Sequence, residues 1–301
     1  MNLSLRNKIL RLFLGLMILS SVATISSVLL ATNSSVERQA QEKLDIGKRV
    51  FEQLMLDRGQ QLFNSAEVLT ADFGFKGAVA QGDRGTILSV LENHGARIGA
   101  DLMMLASLEG ELIARTDSST LSSNSFPFID LLPKAESDGG LMTVAMLDGK
   151  AYQLVILQVA APRPVAWASM GFLLDQSLAN QLKSLTNLEV SYTGVSHDQD
   201  SFIISTMHKG SHTSILSEKM ESGNSDSNNE RVNLKRMQFG QDEYLSLYAP
   251  LIETSQYEVN ALLSTSLSEA RANFSPLKIQ ILLVSVISLI ASVIGAFFIS
   301  S

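Results

Sequence analysis

The chain has 301 residues, is 46% hydrophobic, carries a net charge of −7 and contains no cysteine. Without cysteine it has no disulfide, no thiol chemistry and no thiolate metal site. The acidic balance argues against nucleic acid or an anionic lipid surface as its bulk partner.

No charged residue occurs from Leu12 to Val36, and Leu12–Ala31 is rich in Leu, Ile, Val and Ala. About 20 apolar residues, at ~1.5 Å rise each, span a ~30 Å hydrocarbon core. This predicts a transmembrane helix over residues 12–32. Arg6, Lys8 and Arg11 precede it without an acid, so residues 1–11 are expected to stay cytoplasmic. A cleaved signal peptide is the competing reading, but the apolar run exceeds the roughly 7–15 residues of such a signal. A second uncharged stretch, Ile279–Ile299, predicts a second span over 277–299. All 30 acidic residues and 19 of the 23 basic ones fall between the two stretches, which leaves about −11 there. That segment is expected outside the cytoplasm of a bacterial cell, on a multi-pass protein of the inner membrane.

Apolar residues then recur at Val36, Ala40, Leu44, Phe51, Leu54, Leu62, Ala66, Leu69 and Phe73. Their gaps are built from threes and fours, the stripe of one helix face. A stalk helix over 33–80 is predicted, with Gly47 and Gly59 weakening it without ending it. The stripe is not a clean heptad, yet it suits a dimer seam, so a homodimer is expected.

Beyond Gln81-Gly82-Asp83 the pattern changes. A helix near Arg84–Arg97 leads to two apolar runs, Asp101–Ala106 and Glu111–Thr116, joined by a Glu109-Gly110 turn. That is a hairpin signal. Pro127 suggests a short helix over 126–136. A second hairpin follows: Leu141–Leu147, an Asp148-Gly149 turn, then Ala151–Val159. Pro162 and Pro164 precede a strand at Val165–Leu174, and Asp175 is placed to cap a helix through about Leu185.

The order then recurs. Leu188–Thr193 and Phe202–Thr206 flank a polar turn, and Ser217–Glu230 is a polar tract. Arg231–Met237 and Tyr244–Tyr248 flank Phe239-Gly240-Gln241, and a strand at Tyr257–Leu263 precedes a helix from Ser266. Gly149 and Gly240 are corresponding turns 91 residues apart in the numbering. Two copies of one supersecondary unit are implied. The reading is α+β: a long N-terminal helix, a membrane-distal module over 81–175 and a membrane-proximal module over 176–275, flanked by two transmembrane helices.

Leu69-Thr70-Ala71-Asp72-Phe73, the run from Asn93 to Asp101, and Leu108-Glu109-Gly110 resemble the double Cache sensor family. The version in question stands in front of bacterial diguanylate cyclases, cyclic-di-GMP phosphodiesterases and some sensor kinases. The resemblance implies tandem PAS-like modules with antiparallel sheets, each holding a ligand between sheet and cover. It also implies a cytoplasmic output, most often cyclic-di-GMP turnover, beyond these residues. The chain reads as the input part of a longer protein.

No catalytic constellation is present: no phosphate-binding Gly-rich loop and no Gly-x-Ser-x-Gly elbow. The segment is therefore read as non-enzymatic, with no catalytic residue, metal or cofactor assigned. His208 and His212 have helix-face spacing but sit in a polar region, and are read as solvated. His94 is read as structural or at a pocket edge. The candidate ligand residues are Arg97, Asp101, Arg115, Tyr152 and Trp167, a mix of polar groups and aromatic wall. Plain core for Tyr152 and Trp167, and a helix-end pair for Arg97 and Asp101, are the alternatives. The aromatic-rich signature by which family members grip amino acids is not visible, which argues against that ligand. The signal is expected to be a small molecule or a periplasmic protein. A histidine-kinase or chemoreceptor input region and a standalone two-span interaction protein are the other readings.

Overall fold

The computed structural model describes residues 5–117, 124–196, 201–207, 234–239, 242–254 and 256–300. Helix α1 runs over Leu5–Ala71. The predicted stripe is buried at Val36, Ala40, Leu44, Phe51, Leu62, Ala66 and Leu69. The helix does not continue to residue 80. Asp72 turns extended (φ −62°, ψ 128°), and its carboxylate accepts from the Phe75 backbone N–H at 2.7 Å. A new helix, α2 (Phe73–Gln81), starts there. Aspartate favours this capping role because its short carboxylate satisfies a first-turn N–H that lacks a helical partner. The break takes Phe73 off the stripe and leaves it 90% exposed.

Helix α3 (Arg84–Ile98), capped by Asp83, leads to strands β1 (Leu102–Ala106) and β2 (Leu112–Arg115). A 3₁₀ turn, Ile129–Leu131, precedes α4 (Leu132–Asp138). The proline that opens this helix is Pro133, and Pro127 lies in the turn before it. Strands β3 (Leu141–Leu147), β4 (Lys150–Ala160) and β5 (Pro164–Leu173) complete a five-stranded antiparallel sheet in the order β2-β1-β5-β4-β3. The β3–β4 turn has Asp148 at φ 50° and Gly149 at φ 68°. Two consecutive positive φ values match the right-handed twist of a hairpin, and Asp-Gly supplies them most readily.

After α5 (Gln176–Thr186), the second set comprises β6 (Glu189–Ser196), β7 (Ser201–Ser205), β8 (Leu234–Phe239), β9 (Asp242–Glu253) and β10 (Tyr257–Ser266). Its order, β7-β6-β10-β9-β8, repeats that of the first sheet strand for strand. The two copies inferred from turn spacing are therefore two sheets of one topology. Helices α6 (Leu267–Ala272) and α7 (Ser275–Ser300) end the chain. His208, His212 and the tract 217–230 lie outside the described residues.

The chain divides into two compact units. The first comprises residues 1–45, 235–245 and 265–301. It contains an ion network in which Arg236 reaches Glu37 at 2.5 Å and Arg271 reaches Glu243 at 2.6 Å. It also contains an apolar, outward-facing N-terminal stretch long enough to cross a membrane, with Leu19 and Leu30 about 70% exposed. In α7 the apolar run among residues with described side chains is Ile279–Ala291, which is shorter than a span.

The second unit comprises residues 46–234 and 246–264. In it, one face of the first sheet packs on α1, α2 and α3 through Leu62, Leu69, Phe75, Leu91, Met103, Val155 and Phe172. Gly59 allows the closest approach. A Cβ there would lie 2.0 Å from Met142 Sδ and 2.8 Å from Gln153 Nε2. Gln153 uses the opening to donate to the Met55 carbonyl at 2.8 Å. Further along α1, Phe51 meets Tyr192 of β6 with ring centroids 6.5 Å apart.

Candidate functional site

The opposite face of the first sheet carries the candidate site. Strand alternation places Leu102 and Met104 of β1, Tyr152, Leu154 and Ile156 of β4, and Trp167 of β5 on that face. Phe126 and Phe128, just before the 3₁₀ turn, and Leu132 and Ala135 of α4 cover them. Apolar wall, sheet floor and helical cover are thus in place.

Ser169 interrupts this apolar surface. It lies between Met104 and Ile156 in register, is 1% exposed, and its hydroxyl has no partner among the described residues. A buried hydroxyl without a bond is unfavourable by roughly 1–3 kcal/mol, so its presence in an apolar floor marks the position. Nothing in the sequence separates Ser169 from the other serines. Only its register in β5 does.

Polar groups gather at one end of this face. Arg115, at the end of β2, binds both oxygens of Asp117 and also reaches Asp148 in the β3–β4 turn at 2.7 Å. Its side chain is only 10% exposed. Burial opposes its charge, but the hydrogen bonds to Asp117 and Asp148 outweigh it and raise the guanidinium pKa. Tyr152 lies beside this group. Burial raises its phenol pKa, the charges of Asp117, Asp101 and Asp148 add to that, and Arg115 opposes them. The phenol therefore stays protonated and able to donate.

Of the five residues picked from sequence, Arg115 and Tyr152 meet at this rim, and Asp101 contributes its field. The Asp101 carboxylate accepts from the Leu173 backbone N–H at 2.7 Å and ties the start of β1 to the end of β5. Trp167, 3% exposed, is part of the apolar wall. Arg97 is exposed on the last turn of α3, where its charge acts on His94. His94 faces α1, with its Nε2 3.4 Å from the Ser65 carbonyl oxygen. Sequence reasoning missed Asp117 and Asp148, although Asp148 in an Asp-Gly turn and Asp117 two residues after Arg115 were both visible. Among the described residues no group of His, Cys, Asp or Glu is arranged to hold a metal ion.

Tyr257, at the start of β10, packs against the same apolar cluster, and its hydroxyl is hydrogen-bonded with the Met146 backbone. That side of the first sheet is thereby in contact with a strand of the second.

The pattern of a family described as the double sensory domain of two-component sensor kinases matches residues 37–266. The fold is similar to the extracellular domain of a chain assigned as a histidine kinase, at 9% identity and TM-score 0.50, over 82% of this chain and 96% of that one. It is also similar to a domain of a sensory box/GGDEF family protein from Vibrio parahaemolyticus, at 8% identity and TM-score 0.47, over 80% and 99%. A third is the ligand-binding domain of the Pseudomonas fluorescens chemoreceptor CtaA in complex with L-isoleucine, at 14% identity and TM-score 0.43, over 82% and 97%. Identities this low speak to the fold alone. No curated protein sequence matches the chain.

Proposed function

The chain belongs to the double Cache family of sensory domains, and on that premise we propose that it is the extracytoplasmic input region of a membrane-bound signal transducer. The observation that carries the ligand assignment is the apolar face of the first sheet, with an unpartnered Ser169 hydroxyl in its floor and Arg115, Tyr152, Asp117 and Asp148 at its rim. Such a surface suits a small molecule with an apolar body and one polar end. The body would lie on Met104, Ile156 and Trp167. The polar end would bond to Ser169 and to the groups around Arg115.

A ligand that changes how Arg115 is held would shift the β3–β4 turn and, through Met146 and Tyr257, bias β10. A ligand moves such an equilibrium only by its difference in affinity between two states. The apolar stretches 12–32 and 277–299 would anchor the region in the inner membrane, and α7 would carry the signal inward in a homodimer. The family description favours phosphotransfer by a kinase as the output. Cyclic-di-GMP turnover is the alternative.

The test uses the full chain in lipid nanodiscs, a panel of small metabolites and thermal unfolding. A stabilising metabolite is expected to lose its effect in Ser169→Ala and Arg115→Gln. If no metabolite stabilises the chain, sensing of a protein signal becomes the better account. Reporters fused after Ser301 and at Ser225 should lie on opposite sides of the membrane. The same side for both would refute the two-span topology.

A further inference from the structure

The second sheet shares the strand order of the first, but the corresponding face has a different chemistry. On the first sheet that face is Leu, Met, Ile and Trp around the single serine Ser169, with Tyr152 at its rim. On the second it carries Ser191 and Thr193 of β6, Ser205 of β7, Ser246 of β9, and Asn260 and Ser264 of β10, each 6% exposed or less. Register puts them together: Thr193 is opposite Asn260, and Ser191 is opposite both Leu262 and Ser205. Two hydroxyl pairs are closed at 2.7 Å, Ser191 with Ser205 and Ser246 with Ser264. Thr193, 1% exposed, has a hydroxyl with no partner among the described residues.

A sheet face buried to this degree is ordinarily apolar, because each polar side chain taken from water needs a bonding partner. Six hydroxyl and amide groups on one face, with the central hydroxyl unmatched, are not explained by packing. Valine would fill the Thr193 position with the same shape and no unpaired group.

The charges around this face limit what it accepts. Glu258 flanks it at one end, where it accepts from Asn260 Nδ2 at 2.9 Å. Glu189 flanks it at the other, already bound to Lys183 at 2.8 Å and to the Thr206 hydroxyl. No cation among the described residues of the face is left to meet an anion, and both flanking carboxylates repel one. We propose that this face is a second binding site, for a small neutral solute that presents hydroxyl or amide groups. Thr193 and Asn260 would supply its central hydrogen bonds, and the Ser191–Ser205 pair would open to share a third. The site lies on the second sheet and is independent of the ligand face of the first.

The experiment measures thermal unfolding of the full chain in lipid nanodiscs with myo-inositol, D-glucose and acetamide as neutral probes. Succinate and putrescine serve as charged comparisons. At least one neutral probe is expected to raise the melting temperature, and neither charged one should do so. Thr193→Val should weaken that response by ten-fold or more in probe concentration while leaving the probe-free melting temperature equal or higher. Thr193→Ser should retain the response, and so should Ser169→Ala on the first sheet. No shift with any neutral probe, a shift with charged probes alone, or an undiminished response in Thr193→Val would each overturn the proposal. So would a lower probe-free melting temperature in Thr193→Val, because it would show that the hydroxyl is a structural group.

Discussion

Arg115 and Asp148 are 33 residues apart in sequence, on β2 and in the β3–β4 turn, and their side chains meet at 2.7 Å. In the sheet order β2-β1-β5-β4-β3 those two places belong to opposite edges. The contact therefore closes one end of the candidate face from edge to edge. Asp117 holds the same guanidinium from the β2 side.

Removing the guanidinium leaves Asp117, Asp148 and the nearby Asp101 facing one another without a cation. Arg115→Ala should lower stability by about 1.5–3 kcal/mol, the range for hydrogen bonds to charged groups. Asp148→Asn should lower it by less than about 1 kcal/mol, because exposed ion pairs contribute little. Asp148 is 60% exposed. Urea denaturation of both variants measures the difference, and equal losses would contradict the central role of Arg115.

The helix break at Asp72 has its own test. Asp72→Ala removes the acceptor for the Phe75 N–H, and N-cap losses of this kind are about 1 kcal/mol. Asp72→Asn, which keeps an oxygen in the same place, should recover most of that. If Asp72→Ala proved neutral, α2 would be held by Phe75 and Ala78 packing alone.

His94 predicts a pH dependence. Burial is the main cause that lowers its pKa below the usual 6.5; the nearby Arg97 charge adds to it, and the Ser65 contact and Asp72 oppose it. The unfolded chain then takes up a proton at higher pH than the folded one. Stability from this group is present above the ordinary value and is lost as pH falls through that value toward the folded one. Wild type should lose more stability than His94→Gln between about pH 7.5 and pH 5.5. Parallel pH profiles for the two would exclude His94 as the source.

Tyr257 gives a prediction that separates stability from coupling. Tyr257→Phe keeps the ring against the apolar cluster but deletes the hydroxyl bonded with the Met146 backbone, with a loss of about 1 kcal/mol. Ligand-induced change in hydrogen exchange should persist in β3–β4 and fade in β10. Unchanged protection in β10 would mean that the two sheets communicate elsewhere.

The elements were largely legible because their signals are local. Asp175 caps α5 through the Leu178 N–H at 2.8 Å, and Asp148-Gly149 forms the turn its two residues imply. Breaks set by competition were harder. Asp72 sits inside an unbroken apolar period, and only the bond to the Phe75 N–H reveals that capping prevails over helix continuation. The site was half legible. Arg115 and Tyr152 stood out by residue type, whereas Ser169 and Thr193 are ordinary residues whose burial without a partner depends on strands distant in sequence. Gly47 and Gly59 read as weak points of α1, and both are places of contact: a Cβ at Gly47 would lie 2.1 Å from Leu188 Cδ1.

The opening at Gly59 has a mechanical meaning. Met142 and Gln153 enter α1 where a side chain is missing, so this part of the helix and the first sheet mesh like a tooth in a notch. Sliding α1 by one residue, a rise of ~1.5 Å, would bring the side chain of Arg58 or Gln60 toward Met142 and break the Gln153 bond to Met55. Residues 46–71 of the helix cannot slip past the sheet. Any displacement of β3 and β4 must carry that length of helix with it.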